Sequence, residues 1–168
     1  ALAFAFYLAW LGWDALGPRK PEVGAARRQA ADRLIPTILE DLRQSRGDIR
    51  SVALLHFEND PTDYITDRLR QEIEQSGILD LRDRTIGEKV RNLLGLRHPG
   101  CGDTQAAVAR ARDLGVAGVI FGRVDTFESS KEGARLELDL RFAAVSDGHL
   151  LLDRHYDRAP VASLISIA

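Results

Sequence analysis

His98, Cys101 and Asp103 lie within one short stretch, and each could ligate a metal or move a proton. A structural zinc site needs four donors at a recognisable spacing; this trio fits no common pattern, and no fourth ligand is evident. Cys101 beside a histidine would make a nucleophile and its base, but nothing in the sequence orders the two. Gly115, Gly118 and Gly122 are followed by no Lys-Ser/Thr pair and sit in a strand pattern, so they do not build a phosphate loop. His56, His149 and His155 are scattered near strand ends and read as surface or satisfied core histidines. No catalytic, cofactor-binding or metal-binding residue is assigned. The expectation is a protein that is not an enzyme and takes no evident small-molecule substrate.

What remains is chemistry by contact. Arg135, Glu137, Asp139 and Arg141 alternate with Ala134, Leu136, Leu138, Leu140 and Phe142. Period two over this length predicts a strand with one buried and one wet face. A charged strand face is most often simply solvated. Here it is also the candidate partner-binding surface.

The elements that would position this stripe follow from composition and pattern. The 168 residues are 45% hydrophobic and 29% charged, which is globular. The net charge of −2 argues against nucleic acid as a partner. Cys101 is the only cysteine, so no intrachain disulfide forms. Gly115 to Phe127 is rich in Val, Ile and Phe and reads as the central strand, with Gly118 and Gly122 at points of close backbone approach or a bend. Ile49 to Phe57 reads as a buried strand. A helix follows, with Asp60 as cap, Pro61 in its first turn, and Ile65, Leu69 and Ile73 on one face up to Gly77. Ile78 to Leu81 is a short strand. Thr85 to Glu88 forms a capping box before a helix carrying Val90, Leu93 and Leu94. Asp103 caps a third helix with Ala106, Ala107, Ala111 and Leu114 inward. Ser146-Asp147-Gly148-His149 is a hairpin turn, and Leu150 to Tyr156 is the returning strand. The predicted class is α/β (α+β), in the order β-α-β-α-α-β-β-β, with a mixed sheet ending in an antiparallel meander.

Two further segments precede this domain. Ala1 to Trp13 is uncharged, with Phe4, Phe6, Tyr7, Trp10, Leu11 and Trp13 as its large side chains, and basic residues follow at Arg19 and Lys20. Aromatics followed by a basic turn suit a membrane interface, and a span needs about 20 residues. We read residues 1–16 as a transmembrane helix whose first turn precedes Ala1, and hence the lipid bilayer as a partner. A signal-peptide core and a buried helix are the alternatives. Residues 17–47 form a linker and connecting helix, with Ala31, Leu34, Ile35, Ile38, Leu39 and Leu42 on one face. Arg27, Arg28, Asp32, Arg33, Asp41 and Arg43 fall on the other. Pro36 is expected to kink or divide this helix. It either packs on the domain or stands as a stalk. Residues 48–157 form the soluble domain, and 158–168 a tail.

Several joints of the domain carry a resemblance. They are Val52 to Asn59, Tyr64 to Leu69, Asp83-Arg84, Leu114 to Val124, and the valine-x-aspartate-glycine-x-leucine-leucine run at Val145 to Leu151. In this order they resemble a group of bacterial envelope domains: the curli-secretion lipoprotein CsgG, the amino-terminal domain of TolB, and lipoprotein activators of penicillin-binding proteins. The group tends to place an acidic residue where Ala117-Gly118 stands here. Many members are held by an amino-terminal cysteine that this chain lacks. The resemblance implies a non-enzymatic role in assembling, scaffolding or activating an envelope machine, in the periplasm or at the outer membrane.

These readings converge on a single-pass, membrane-anchored accessory or scaffold subunit whose partners are the subunits of a larger membrane protein complex. A soluble-domain regulator or ligand-binding module of a secretion or cell-wall system is the alternative. An accessory subunit of a respiratory or photosynthetic complex is the second. Arg19, Lys20, Arg27 and Arg28 after the span favour a cytoplasmic domain, whereas the resemblance favours the periplasm. The periplasmic side of the bacterial cell membrane is preferred.

Overall fold

A computed structural model describes residues 23–82, 94, 100–131 and 133–158. The expected anchor at 1–16, the linker through Pro21, the helix after Thr85, His98 and the tail beyond Arg158 lie outside the described residues. Among the described residues, no helix is long and apolar enough to cross a membrane.

The described elements are α1 (Ala25–Ser45), β1 (Ser51–Leu54), a 3-10 turn (Pro61–Asp63), α2 (Tyr64–Ser76), β2 (Asp80–Leu81), α3 (Thr104–Asp113), β3 (Gly118–Ser130), β4 (Gly133–Ala144) and β5 (Leu150–Arg158). The five strands form one sheet in the order β2-β1-β3-β4-β5. β1 pairs parallel with both β2 and β3, while β3, β4 and β5 form an antiparallel meander. The predicted mixed sheet, its central strand and its hairpin are therefore present. β1 is shorter than the expected Ile49–Phe57, and β5 runs two residues beyond Tyr156.

α1 is one continuous helix through Pro36, against the expectation of a kink or division. It also begins at Ala25 instead of Pro21-Glu22, because Val23 and Gly24 are not helical. Pro36 is exposed, so its ring meets no packed neighbour on the outer side of the helix. Ile35 and Ile38 on either side are buried and hold both halves to the sheet. The helix is packed on the domain and does not stand off as a stalk. Leu34, Ile38 and Leu42 are at most 1% exposed and share a core with Leu136, Leu138 and Leu140 of β4. Burying a side chain of this size contributes about 1.5–3 kcal/mol. Asp41, expected on the wet side, instead accepts hydrogen bonds from Tyr156 Oη at 2.6 Å and Arg154 at 2.7 Å. Burial and the bond to Asp41 push the Tyr156 hydroxyl pKa up.

The start of α2 departs from a simple cap. Asp60 reaches past the 3-10 turn, accepting from the N–H groups of Ile65 at 3.1 Å and Thr66 at 2.7 Å and from the Thr66 hydroxyl at 2.8 Å. The Phe57 N–H in turn donates to Thr66 Oγ1 at 3.1 Å. Asn59, Thr62 and Asp63 all have positive φ here, a conformation that costs non-glycine residues free energy. Gly77 closes the helix in the left-handed region, as expected.

α3 is capped by Asp103, which accepts from the Ala106 N–H at 2.8 Å. Ala106 itself is exposed, against expectation; Ala107, Val108 and Ala111 face inward. Gly118 and Gly122 do mark close approaches. A Cβ on Gly118 would strike the Phe142 ring, and one on Gly122 the carbonyl of Asp139.

Candidate protein-docking surface

The two faces of the sheet are covered unequally. One face packs against α1 and α2. On the other, α3 covers only one end, where Ala107, Val108 and Ala111 meet Leu55, Val119, Phe121, Ala143 and Val145. Beyond Phe121 this face passes to charged side chains, with no described helix over them.

Cross-strand register sets these charges in rows. Arg141 stands between Phe121 and Asp153, Asp139 between Arg123 and His155, and Glu137 between Thr126 and Asp157. Arg135 lies across from Glu128. An irregularity between Val124 and Thr126 brings Asp125 and Thr126 both to this face. Arg135, Glu137, Asp139 and Arg141 thus share one face of β4, joined by partners from both neighbouring strands.

Most of these charges are already paired. Arg123 meets Asp125 at 2.8 Å and Asp139 at 3.3 Å. Arg141 meets Asp153 at 3.2 Å and donates to the Gly102 carbonyl at 3.0 Å. Arg135 contacts both Glu137 and Asp157. Thr126 donates to Glu137 at 2.9 Å. His155 Nδ1 lies 2.7 Å from Asp139, and that hydrogen bond raises the imidazole pKa. The carboxylates are partly buried but their guanidinium partners are one-third to one-half exposed, so water screens the pairs and each contributes little to stability. Their effect is to hold the carboxylates in fixed positions.

Asp125, Asp139 and His155 offer ligand atoms within 4.8 Å of one another. Arg123 already bonds to both carboxylates there. The hairpin turn does not by itself give the Asp139–His155 pair: a register shift between Phe142 and Ala143 sets His155 across from Asp139, where the turn's own register would set Arg154. Reading the histidines one by one missed it.

The remaining candidate chemistry does not converge. Cys101 is buried, its Sγ is 3.5 Å from the Asp103 carbonyl, and burial raises the thiol pKa. His56 lies against Asp63 at 3.4 Å, on the corner that also holds Asp60. Burial pushes the Asp60 carboxyl up to about 6, against the pull of its hydrogen bonds to Thr66 and Ile65. That corner is closed, with Asp60 and Asp63 each 8% exposed.

A mixed five-stranded sheet with a β3–β5 meander and helices on both faces defines an α+β domain of a kind found in bacterial proteins. The C-terminal domain of LpoB from Salmonella enterica matches it at a TM-score of 0.51 and 16% identity, over 74% of this chain and 94% of that one. The same domain from Escherichia coli matches at 0.50 and 15%, over 75% and 95%. The NMR structure of E. coli LpoB matches at 0.52 and 16%, over 74% of this chain and 64% of LpoB. At these identities the likeness is one of fold. No protein-family model and no curated protein matches the chain.

Proposed function

We propose that this chain is a non-enzymatic regulator of a bacterial cell-envelope system, acting on a protein partner through the open face of β3, β4 and β5. The observation that carries the reading is the unequal cover of the sheet. Among the described residues, a domain with an extensive apolar core leaves one face charged, ordered and without a helix over it. Its setting is supported by the sequence resemblance to lipoprotein activators of penicillin-binding proteins and by the fold shared with LpoB. A cell-wall or secretion protein therefore suits better as partner than a multi-subunit energy-converting complex. Phe4, Phe6, Tyr7, Trp10, Leu11 and Trp13 would tether the domain to the bilayer, with the domain on the periplasmic side. Tethering raises the effective concentration of partners at the membrane, so a modest interface suffices.

Quantitative affinity purification of the full chain from bacterial envelope extract tests this. A cell-wall or secretion protein should be enriched, and lost when Glu137 and Asp139 are both changed to Lys. Equal enrichment by the folded variant would overturn the assignment of the face.

A further inference from the structure

On the open face Arg123, Arg135 and Arg141 each meet a carboxylate. Beside α3 the polar side chains are left without such partners. There α3 and the turn between β4 and β5 border a cavity of about 470 Å³. Thr104, Val108 and Arg112 step along one side of α3 at intervals of four residues, with Gln105 next to Thr104. Ser146 and Asp147 border the cavity from the turn. Val108 is 7% exposed and gives it an apolar floor. Among the described residues, the side chains of Thr104, Gln105 and Ser146 have no hydrogen-bond partner. Arg112 reaches across to the turn, where Nη2 donates to the Val145 carbonyl at 3.4 Å. Asp147 Oδ1 accepts from the His149 N–H at 3.0 Å, which fixes this carboxylate at the turn. A guanidinium and a carboxylate thus share one cavity without meeting, and neither has an ion pair among the described residues.

We infer that this cavity binds a zwitterionic dipeptide, its carboxylate on Arg112 and its ammonium against Asp147. The inference is independent of the open face and gives the domain a small-molecule site apart from its protein-docking surface. The donor set fits. A guanidinium presents a planar fork of N–H groups that matches a carboxylate, and Arg112 commits only one of its arms, to Val145. Asp147 keeps its second oxygen to accept from an ammonium. The middle of a dipeptide carries one N–H and one C=O, each of which needs a partner when taken out of water. The Gln105 amide supplies an acceptor and a donor, and the Thr104 and Ser146 hydroxyls serve as either. Val108 receives the apolar part of a small side chain. The volume falls in the range of roughly 300–1,000 Å³ of cavities that take small molecules, which leaves room for a dipeptide. A simple anion would use Arg112 and be repelled by Asp147; a simple cation would meet the reverse. The site escapes a reading of the sequence because Arg112 and Val145 are 33 residues apart and meet only when α3 packs on the sheet. Most of its lining is exposed, so binding should be weak and exchange fast.

Titration of the isotopically labelled chain with alanyl-alanine tests this. N-acetyl-alanyl-alanine, which lacks the ammonium, and alanyl-alanine amide, which lacks the carboxylate, complete the set. We expect saturable amide shifts on α3 and the turn after β4 with the dipeptide. Each blocked form should bind about tenfold more weakly, for want of one charged partner. Arg112→Gln should bind the dipeptide about tenfold more weakly than the parent does and no longer distinguish it from its amide, while still rejecting the acetylated form. Asp147→Asn keeps the Oδ1 acceptor for His149 and should show the converse: the acetylated form accepted as well as the dipeptide, the amide still rejected. The three peptides on the parent chain decide the matter even where a variant is unstable. No saturable shift with the dipeptide, equal binding of the three peptides, or shifts centred away from α3 and the turn would overturn the inference. So would a folded Arg112→Gln variant that binds and discriminates as the parent does.

Discussion

β4 presents two faces that share one backbone and little else. Leu136, Leu138, Leu140 and Phe142 are fully buried against α1, α2 and their own sheet neighbours. Arg135, Glu137, Asp139 and Arg141, one residue out of step, carry ion pairs at the solvent boundary. The first face contributes the burial that holds the domain together. The second contributes almost nothing to folding, so its charges are free to be set by whatever it meets. Strand alternation thus separates stability from contact at single-residue resolution.

The strongest way to break this comparison is to carry the chemistry of one face to the other. Leu138→Asp would place an unpaired carboxylate in the apolar core and should cost more than about 4 kcal/mol, enough to unfold the domain. Circular dichroism and denaturant melts would show it. A folded Leu138→Asp variant would mean that the two faces had been assigned the wrong way round.

Asp60 sharpens the comparison, because it is a carboxylate on the buried side. Asp60→Ala would leave two backbone N–H groups and the Thr66 hydroxyl without their acceptor and should cost about 1–3 kcal/mol. The same residue sets a pH dependence. Its carboxyl is raised from 3.8 to about 6 in the folded protein, so the fold binds this proton more tightly than the unfolded chain does. Its contribution is fully present below pH 3.8 and is lost as pH rises through about 6. The span corresponds to on the order of 3 kcal/mol. Thermal melts between pH 4 and 7 should show the decline in the parent and its absence in Asp60→Asn. An identical slope in the two would assign the decline to other groups.

How much of this was legible in the sequence depends on how local the cause was. The alternation at 134–142 and the Asp147-Gly148 turn act over a few residues, and they gave the meander and both faces of β4. The unbroken helix through Pro36 was not legible. Its continuity comes from Ile35 and Ile38 gripping a sheet that lies far along the chain. Asp41 was misplaced for the same reason, since its partners Arg154 and Tyr156 are more than a hundred residues away. Asp60 was recognised as a cap, but the left-handed residues that put it three positions before the helix N-cap at Asp63 carry no pattern. The four charges of the docking stripe were visible. Asp125, Asp157 and His155 joined them only through sheet register and the irregularity after Val124.

On the open face the effects should be small. Glu137→Ala removes an acceptor from Thr126 and a partner from Arg135, but it also removes the repulsion with Asp157. The two nearly offset, and stability should stay within ~0.5 kcal/mol of the parent. A loss comparable to that of Asp60→Ala would show that Glu137 belongs to the core and not to the surface.

The smallest effect concerns His155, which is more than half exposed. Its hydrogen bond to Asp139 raises its pKa above the ordinary 6.5. The protonated ring is the form that gains from the carboxylate, so this contribution is complete at acid pH and fades as pH rises through the raised value. Solvent screens the pair, so melting temperature should hardly register it. Titration followed at the ring protons should register it plainly. The midpoint should lie above that of a histidine in an unfolded peptide, move down in Asp139→Asn, and move down again when salt is added to the parent. The Asp60 decline should stay in place under both changes, since that carboxyl is closed off from solvent. If salt shifted the two titrations equally, the buried corner and the open face would be electrostatically alike, and the separation of stability from contact would fail at its most sensitive point.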